Sequence, residues 1–136
     1  MSMKLFKILN EVKENAPRIS LGLVFLVFGL NGFFRFFSTP TPPQEAHDFL
    51  GGLAAAPYFF PLLKGMEVLC GVALFFGRYV KLALVALAPI VVNIVLFHSF
   101  LDASTYSFVI PSVVVLLYFQ LVWNHRKALS VLVEKN

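Results

Sequence analysis

Four long apolar stretches, separated by short polar connections, limit what this chain can fold into. They comprise residues 18–37, 57–76, 80–101 and 106–123, and each is close to the ~20 residues that a helix needs to cross about 30 Å of hydrocarbon. Only 13% of the residues are charged and 59% are hydrophobic, whereas a soluble domain carries roughly a quarter charged residues. The sequence therefore predicts an all-α polytopic membrane protein, in which residues 1–136 form a single four-transmembrane-helix bundle.

The distribution of lysine and arginine predicts the orientation of the bundle. Residues 38–56 and 102–105, which connect the first stretch to the second and the third to the fourth, contain neither. Since basic residues stay on the cytoplasmic side of a membrane, we expect both termini to be cytoplasmic. The net charge of +4 is then explained by topology, and no nucleic-acid partner is expected. Apart from Arg35 and Lys64, which lie within the apolar stretches, the basic residues lie in or next to the other three segments: Lys4, Lys7, Lys13, Arg18, Arg78, Lys81, Arg126, Lys127 and Lys135.

Two segments outside the spans also have helical character. Thr41 and Gln44 have the spacing of a capping box, which predicts a short outer-loop helix from Pro42 to about Leu50, ended by the two glycines that follow. This helix could rest on the bundle as a lid, or the segment could be a plain linker. Residues 4–14 place apolar side chains at helical spacing, as in a helix lying on the inner leaflet, although a basic tail fits equally well.

Polar residues inside the spans indicate where a functional site would lie. Ionisable groups within a membrane are costly, and they face the bundle interior or water when they occur. At ~1.5 Å per residue, three helices place such groups in the outer half of the bilayer. This convergence predicts a pocket for a polar head group, such as a quinone ring or a small oxyanion. The alternative is an ion pair that merely fastens two spans. The candidate binding residues are Asn31, Arg35, Lys64, Glu67, Asn93 and His98.

Metal and haem chemistry are not expected from this sequence. Cys70 is the only cysteine, so paired-thiol chemistry within one chain is excluded. His98 lies in the third span, but His47 belongs to the outer connection and His125 to the cytoplasmic end. Neither can supply a second axial ligand at the depth of His98. The catalytic residues, if there are any, are not indicated.

Several motifs make the chain resemble the DoxX family of small four-helix membrane proteins. The resemblance implies a bacterial inner-membrane protein, and it places the family's glutamate at Glu67. The family's name comes from a subunit linked to thiosulfate:quinone oxidation, and related members are redox-associated. The motifs are Arg18-x-x-Leu21-Gly22-Leu23, Gly29-Leu30-Asn31-Gly32, Phe60-Pro61-x-x-Lys64-Gly65-x-Glu67-x-x-Cys70-Gly71, Gly77-Arg78, and Ala88-Pro89 with Asn93 and His98.

Three functions remain open at this point. The first is a redox-associated subunit that holds a quinone or a small sulfur substrate near Glu67, Arg35 and His98. The second is a non-catalytic accessory protein, whose partners would be the lipid bilayer and another membrane protein. The third is a small proton-coupled transporter, in which Glu67 carries protons and a homo-oligomer lines the path.

Overall fold

The computed structural model describes residues 2–135, and within this range the chain is helical and contains no strand. Four segments are long and apolar enough to cross a membrane, which confirms the predicted all-α, four-span fold. The helices are α1 (Met3–Phe34), α2 (Gln44–Ala54), α3 (Phe59–Phe76), α4 (Val80–Phe100), α5 (Val109–Asn124) and α6 (Arg126–Ser130), with a 3-10 helix (Thr105–Phe108) leading into α5.

The four spanning helices alternate in direction, so the bundle has two distinct ends. The end that carries α2 and the turn before α5 is called the α2 end here, and the opposite one the termini end. Along α1 and α3 the contacts run in opposite order, since Gly22 faces Phe75 whereas Gly32 faces Lys64. The two helices are therefore antiparallel, and α4 and α5 continue the alternation.

Glycines bring α1 and α3 into backbone contact. A Cβ added to Gly22 would lie 2.7 Å from the backbone nitrogen of Phe75, and one added to Gly71 would lie 2.7 Å from the backbone nitrogen of Leu26. Real side chains do not approach backbone atoms this closely, so only glycine fits at either position. Small residues at helix contacts are the usual means by which membrane helices approach one another.

The centre of the bundle is a leucine-rich core. Five of its leucines are less than 2% exposed, whereas apolar residues on the outward faces, such as Leu69 (68%) and Leu116 (71%), are largely exposed. Helices that are apolar on both faces are typical of a bundle surrounded by lipid. The largest fully buried side chains come from all four spanning helices: Leu21, Leu74, Leu84, Leu87 and Leu121.

Arg18 closes the termini end of α3. Its guanidinium donates hydrogen bonds to the backbone carbonyl oxygens of Leu74 and Phe75, and it also donates to the Asn15 side chain at 3.1 Å. The last carbonyls of any helix lack partners within the helix, and here the neighbouring helix supplies one. Arg18 thus has a structural role in addition to the topological one that its charge predicts.

Tyr118 of α5 makes the buried link to α4. Its hydroxyl donates to the carbonyl oxygen of Leu84 at 2.6 Å. The next carbonyl, that of Val85, is the one that Pro89 deprives of its helical partner. Pro89 lies inside α4, whereas Pro111 lies in the first turn of α5, where no helical hydrogen bond is lost.

Removing the Tyr118 hydroxyl tests this link. Tyr118→Phe keeps the ring and leaves the Leu84 carbonyl without its second partner, so we expect the free energy of unfolding to fall by about 1 kcal/mol. Unfolding in a detergent titration measures the change. Tyr106→Phe is the control, since Tyr106 is 90% exposed. Equal effects of the two substitutions would show that the hydrogen bond contributes nothing.

Some boundaries differ from the predicted ones. The first span ends at Phe34 and not at residue 37, because Arg35 adopts a left-handed backbone with φ of 52°. The segment before Pro17 is not a separate surface helix, since α1 is unbroken from Met3. The predicted capping box is wrong, because α2 begins after Pro43 and no side chain caps it.

The second helix also runs through its glycines. Gly51 and Gly52 lie inside α2, which continues to Ala54. Glycine permits a left-handed stop but does not impose one. The remaining differences are small: α3 begins at Phe59, α4 ends at Phe100, and α5 begins at Val109 after the 3-10 helix.

Candidate ligand cavity at the α2 end

A cavity of about 400 Å³ lies between α2, α3 and α4 near the α2 end. Four of the six predicted site residues line it, namely Lys64 and Glu67 from α3 and Asn93 and His98 from α4. The rest of the wall is apolar, and α2 contributes to it through Phe49, Leu50 and Leu53. The other apolar lining residues are Phe59, Phe60, Leu63, Pro89, Ile90, Ile94 and Phe97.

Lys64 and Glu67 form an ion pair at the cavity wall. The Lys64 Nζ donates to Glu67 Oε2 at 2.9 Å, with side-chain exposures of 25% and 8% respectively. Because the two residues are three apart on one helix, they share a face of α3. Lys64, and not Arg35, is thus the partner of the buried carboxylate.

The second carboxylate oxygen of Glu67 is not fully enclosed. The single hydrogen bond of this side chain is made by Oε2. Among residues 2–135, no enclosed side-chain oxygen or nitrogen lacks a partner, so the unbonded Oε1 is not sealed in. Glu67 lines the cavity, and Oε1 is the carboxylate oxygen that its ion pair leaves without a hydrogen bond.

Two glycines of α1 make room for this ion pair. A Cβ on Gly32 would lie 2.5 Å from Cγ of Lys64, and a Cβ on Gly29 would lie 3.1 Å from Cβ of Glu67. The α1 helix therefore contributes bare backbone to the site instead of polar side chains. The spacing of these glycines is visible in the sequence, but the residues opposite them are not.

Asn31 and Arg35 do not line the cavity, and here the predicted convergence of three helices is wrong. The Asn31 amide is bonded on both sides to Phe37: Nδ2 donates to its carbonyl oxygen at 3.1 Å, and Oδ1 accepts from its N–H at 3.0 Å. Arg35 is exposed. Its left-handed backbone ends α1 and turns the following residues away from the helical path that the prediction assumed.

His98 lines the cavity, and one of its two ring nitrogens is already bonded within α4. Its Nδ1 lies 2.8 Å from the carbonyl oxygen of Ile94, and because a carbonyl can only accept, Nδ1 carries a proton. In the neutral ring Nε2 is then an acceptor. Asp102, one turn further on, accepts from the Ser104 hydroxyl at 3.2 Å. Hydrogen bonds from Ser107 and Ser104 hold the pKa of Asp102 below its ordinary value, with a smaller contribution from the charge of His98.

Metal ligation is not suggested by the side chains in the described range. No group of three or more His, Cys, Asp or Glu residues was found there with the spacing to hold an ion. Cys70 is buried as a free thiol, and it lies one turn of α3 closer to the termini end than Glu67. The polar chemistry of the cavity therefore consists of one ion pair, one amide and one imidazole.

A family model described as DoxX matches residues 16–99, more than half of the chain. The matched region contains the glycine contact of α1 with α3 and all four polar residues of the cavity. No curated protein matches the chain, and no solved structure does.

Proposed function

Because the chain belongs to the DoxX family of membrane proteins, we propose that it is a redox-associated subunit whose cavity binds the ring of a membrane quinone. The observation that carries this proposal is the combination of an apolar, aromatic wall with a single ion pair in a cavity of about 400 Å³. Pockets for small organic ligands have this size and this balance of apolar surface with a few polar groups.

The polar groups match the two carbonyl oxygens of a quinone ring. Lys64 uses one N–H on Glu67 and keeps others to donate, and the Asn93 amide has two donors. Lys64 belongs to α3 and Asn93 to α4, so the two donors come from different helices of the cavity wall. Aromatic side chains such as Phe60 and Phe97 can lie against the flat ring.

The charge balance favours a quinone over a small oxyanion. The positive charge of Lys64 is already matched by Glu67 at 2.9 Å, so the pair offers no net attraction to an anion. An oxyanion entering this mostly apolar cavity would lose its hydration without a compensating charge. A neutral ring loses little hydration and gains contact with the apolar wall.

The core between the cavity and the termini end favours ligand binding over proton transport as the function. Between Glu67 and the termini end, the buried side chains are mostly apolar, such as Leu74, Leu84 and Leu87, each 1% exposed or less, and the Tyr118 hydroxyl there is already bonded to the Leu84 carbonyl. A proton path through one chain would need polar groups or water at this depth. Transport would therefore require a path between several copies of the chain.

Ligand binding by the purified protein tests the proposal. Protein extracted in native lipid should contain quinone, and a short-tailed quinone should raise its unfolding temperature. Asn93→Leu should weaken binding by about tenfold through the loss of one hydrogen-bonding group. Gln120→Leu is the matched control, since Gln120 is an exposed amide on α5. Absence of both quinone and thermal protection would contradict the proposal, and a tightly co-purifying membrane partner would then favour the accessory role.

We also propose that the termini end is cytoplasmic and that the membrane is a bacterial inner membrane. The basic side chains at the termini end, among them Arg18, Arg78 and Arg126, support the orientation. The resemblance to the DoxX family supports the choice of membrane. A membrane-impermeant thiol reagent tests this on intact cells. It should label Ser38→Cys and leave Ser130→Cys unlabelled until the membrane is opened; the reverse pattern would contradict the orientation.

A further inference from the structure

We infer that Arg35 binds the phosphate of an anionic phospholipid at the α2 end of the bundle. This inference is independent of the quinone proposal, because Arg35 lies outside the cavity. It rests on three observations: a guanidinium without a carboxylate partner at the end of a span, exposed phenylalanines on both sides of it in the sequence, and a turn around it that is held by side-chain hydrogen bonds.

Arg35 is the only arginine or lysine at the α2 end apart from Lys64. Residues 36–63 and 101–108 contain neither residue type. Within the described part of the chain, the ion pairs are Lys64 with Glu67 and His47 with Asp48, so Arg35 has no carboxylate partner there. An exposed guanidinium without a partner, at the level where a span ends, is complementary in charge to a lipid phosphate.

Phenylalanines flank this guanidinium on both sides in the sequence. The four residues that flank it are all exposed, by 39% to 67%, and the rings of Phe34 and Phe36 stack with centroids 5.6 Å apart. Exposed aromatic rings at the end of a span lie at the boundary between acyl chains and head groups. They hold this end of α1 at the depth where phosphates occur. The flanking residues are Phe33, Phe34, Phe36 and Phe37.

Asn31 fixes the turn that presents Arg35. Its amide bonds both the N–H and the carbonyl oxygen of Phe37, and the Phe37 ring packs edge-on against Phe28 with centroids 5.4 Å apart. Arg35 itself has φ of 52°, a conformation that is unfavourable for a residue other than glycine. Arginine thus occupies a position where glycine would be less strained, and both polar groups of the Asn31 side chain are bonded to the turn.

Lipid selectivity of the full-length protein in phosphatidylcholine vesicles tests the inference. Spin-labelled phosphatidylglycerol and phosphatidylcholine report which lipid is immobilised on the protein. The wild type is expected to prefer phosphatidylglycerol, and Arg35→Gln should lower this preference by about fivefold, which is the contribution of one basic side chain near a surface. Arg35→Lys should keep part of it, since the charge stays but the planar fork is lost.

Two further variants separate a built site from a general charge effect. Asn31→Ala leaves Arg35 in place but releases Phe37, so the preference should fall nearly as far as with Arg35→Gln, while the helix content stays unchanged. Arg126→Gln is the matched control, because Arg126 is an exposed arginine at the other end of the bundle, 4.5 Å from the Trp123 ring. That variant should keep the preference.

Three results would overturn the inference. The first is an unchanged preference in Arg35→Gln. The second is an equal loss in Arg126→Gln, which would indicate a response to net charge alone. The third is displacement of the labelled lipid by inorganic phosphate, which would indicate a site for a free anion instead of a lipid.

Discussion

Replacing Gly71 with alanine is expected to lower the free energy of unfolding by about 3 kcal/mol, the upper end of the cost of overpacking. The added methyl group would lie 2.7 Å from the backbone nitrogen of Leu26 and 2.9 Å from the carbonyl oxygen of Gly22. Backbone atoms cannot rotate aside as a side chain can, so α1 and α3 would have to separate. A detergent unfolding titration measures the loss.

Gly65 provides the matched control on the same helix. A Cβ at Gly65 would meet no atom within 4 Å, so Gly65→Ala should be neutral, or stabilising by up to about 1 kcal/mol through its higher helix propensity. If Gly71→Ala were as stable as Gly65→Ala, the two helices would not be in backbone contact. Leucine at position 71 should prevent the bundle from assembling.

The second large effect is expected from Glu67→Leu, which should lower the free energy of unfolding by about 3 kcal/mol, the low end of the cost of breaking a buried ion pair. It leaves the ammonium of Lys64 beside an apolar surface without its carboxylate partner at 2.9 Å. The low end applies because the Lys64 side chain is 25% exposed and can turn partly toward water.

A double substitution shows whether the loss comes from the unpaired charge. Lys64→Met with Glu67→Leu removes both charges, and it should recover most of the stability that Glu67→Leu loses. Quinone binding should not recover, since the donor and the acceptor are both gone. If Glu67→Leu alone unfolds like the wild type, the ion pair has no structural role and its purpose lies in ligand binding only.

The four spans could be predicted from the sequence because a membrane imposes a minimum length of apolar chain. The pairing of Lys64 with Glu67 on one face could also be predicted, since it needs only the helical repeat within α3. Both predictions depend on one segment at a time. The cavity wall from α2 could not be predicted, because it depends on how Phe49 and its neighbours fold back over α3 and α4.

The misplacement of Arg35 has a specific cause. Sharing a face with Asn31 requires α1 to continue for one more turn, but Asn31 is instead bonded to the backbone of Phe37. An amide that captures the main chain six residues later competes with the helix. No periodicity in the sequence distinguishes that outcome from a helix that continues to residue 37.

Since α1 is unbroken, the direction of its first half is set by its second half. The helix is about 48 Å long at 1.5 Å per residue, so roughly 20 Å precedes Pro17 and projects past the bundle. Successive residues are rotated by about 100° around a helix. Lys7 and Glu14 therefore lie on the same face of α1 as the buried Leu21, and Leu5 and Val12 lie on the opposite face. The apolar face of this projecting segment is therefore turned away from the bundle, and the protein cannot pack that face against its own helices without breaking α1.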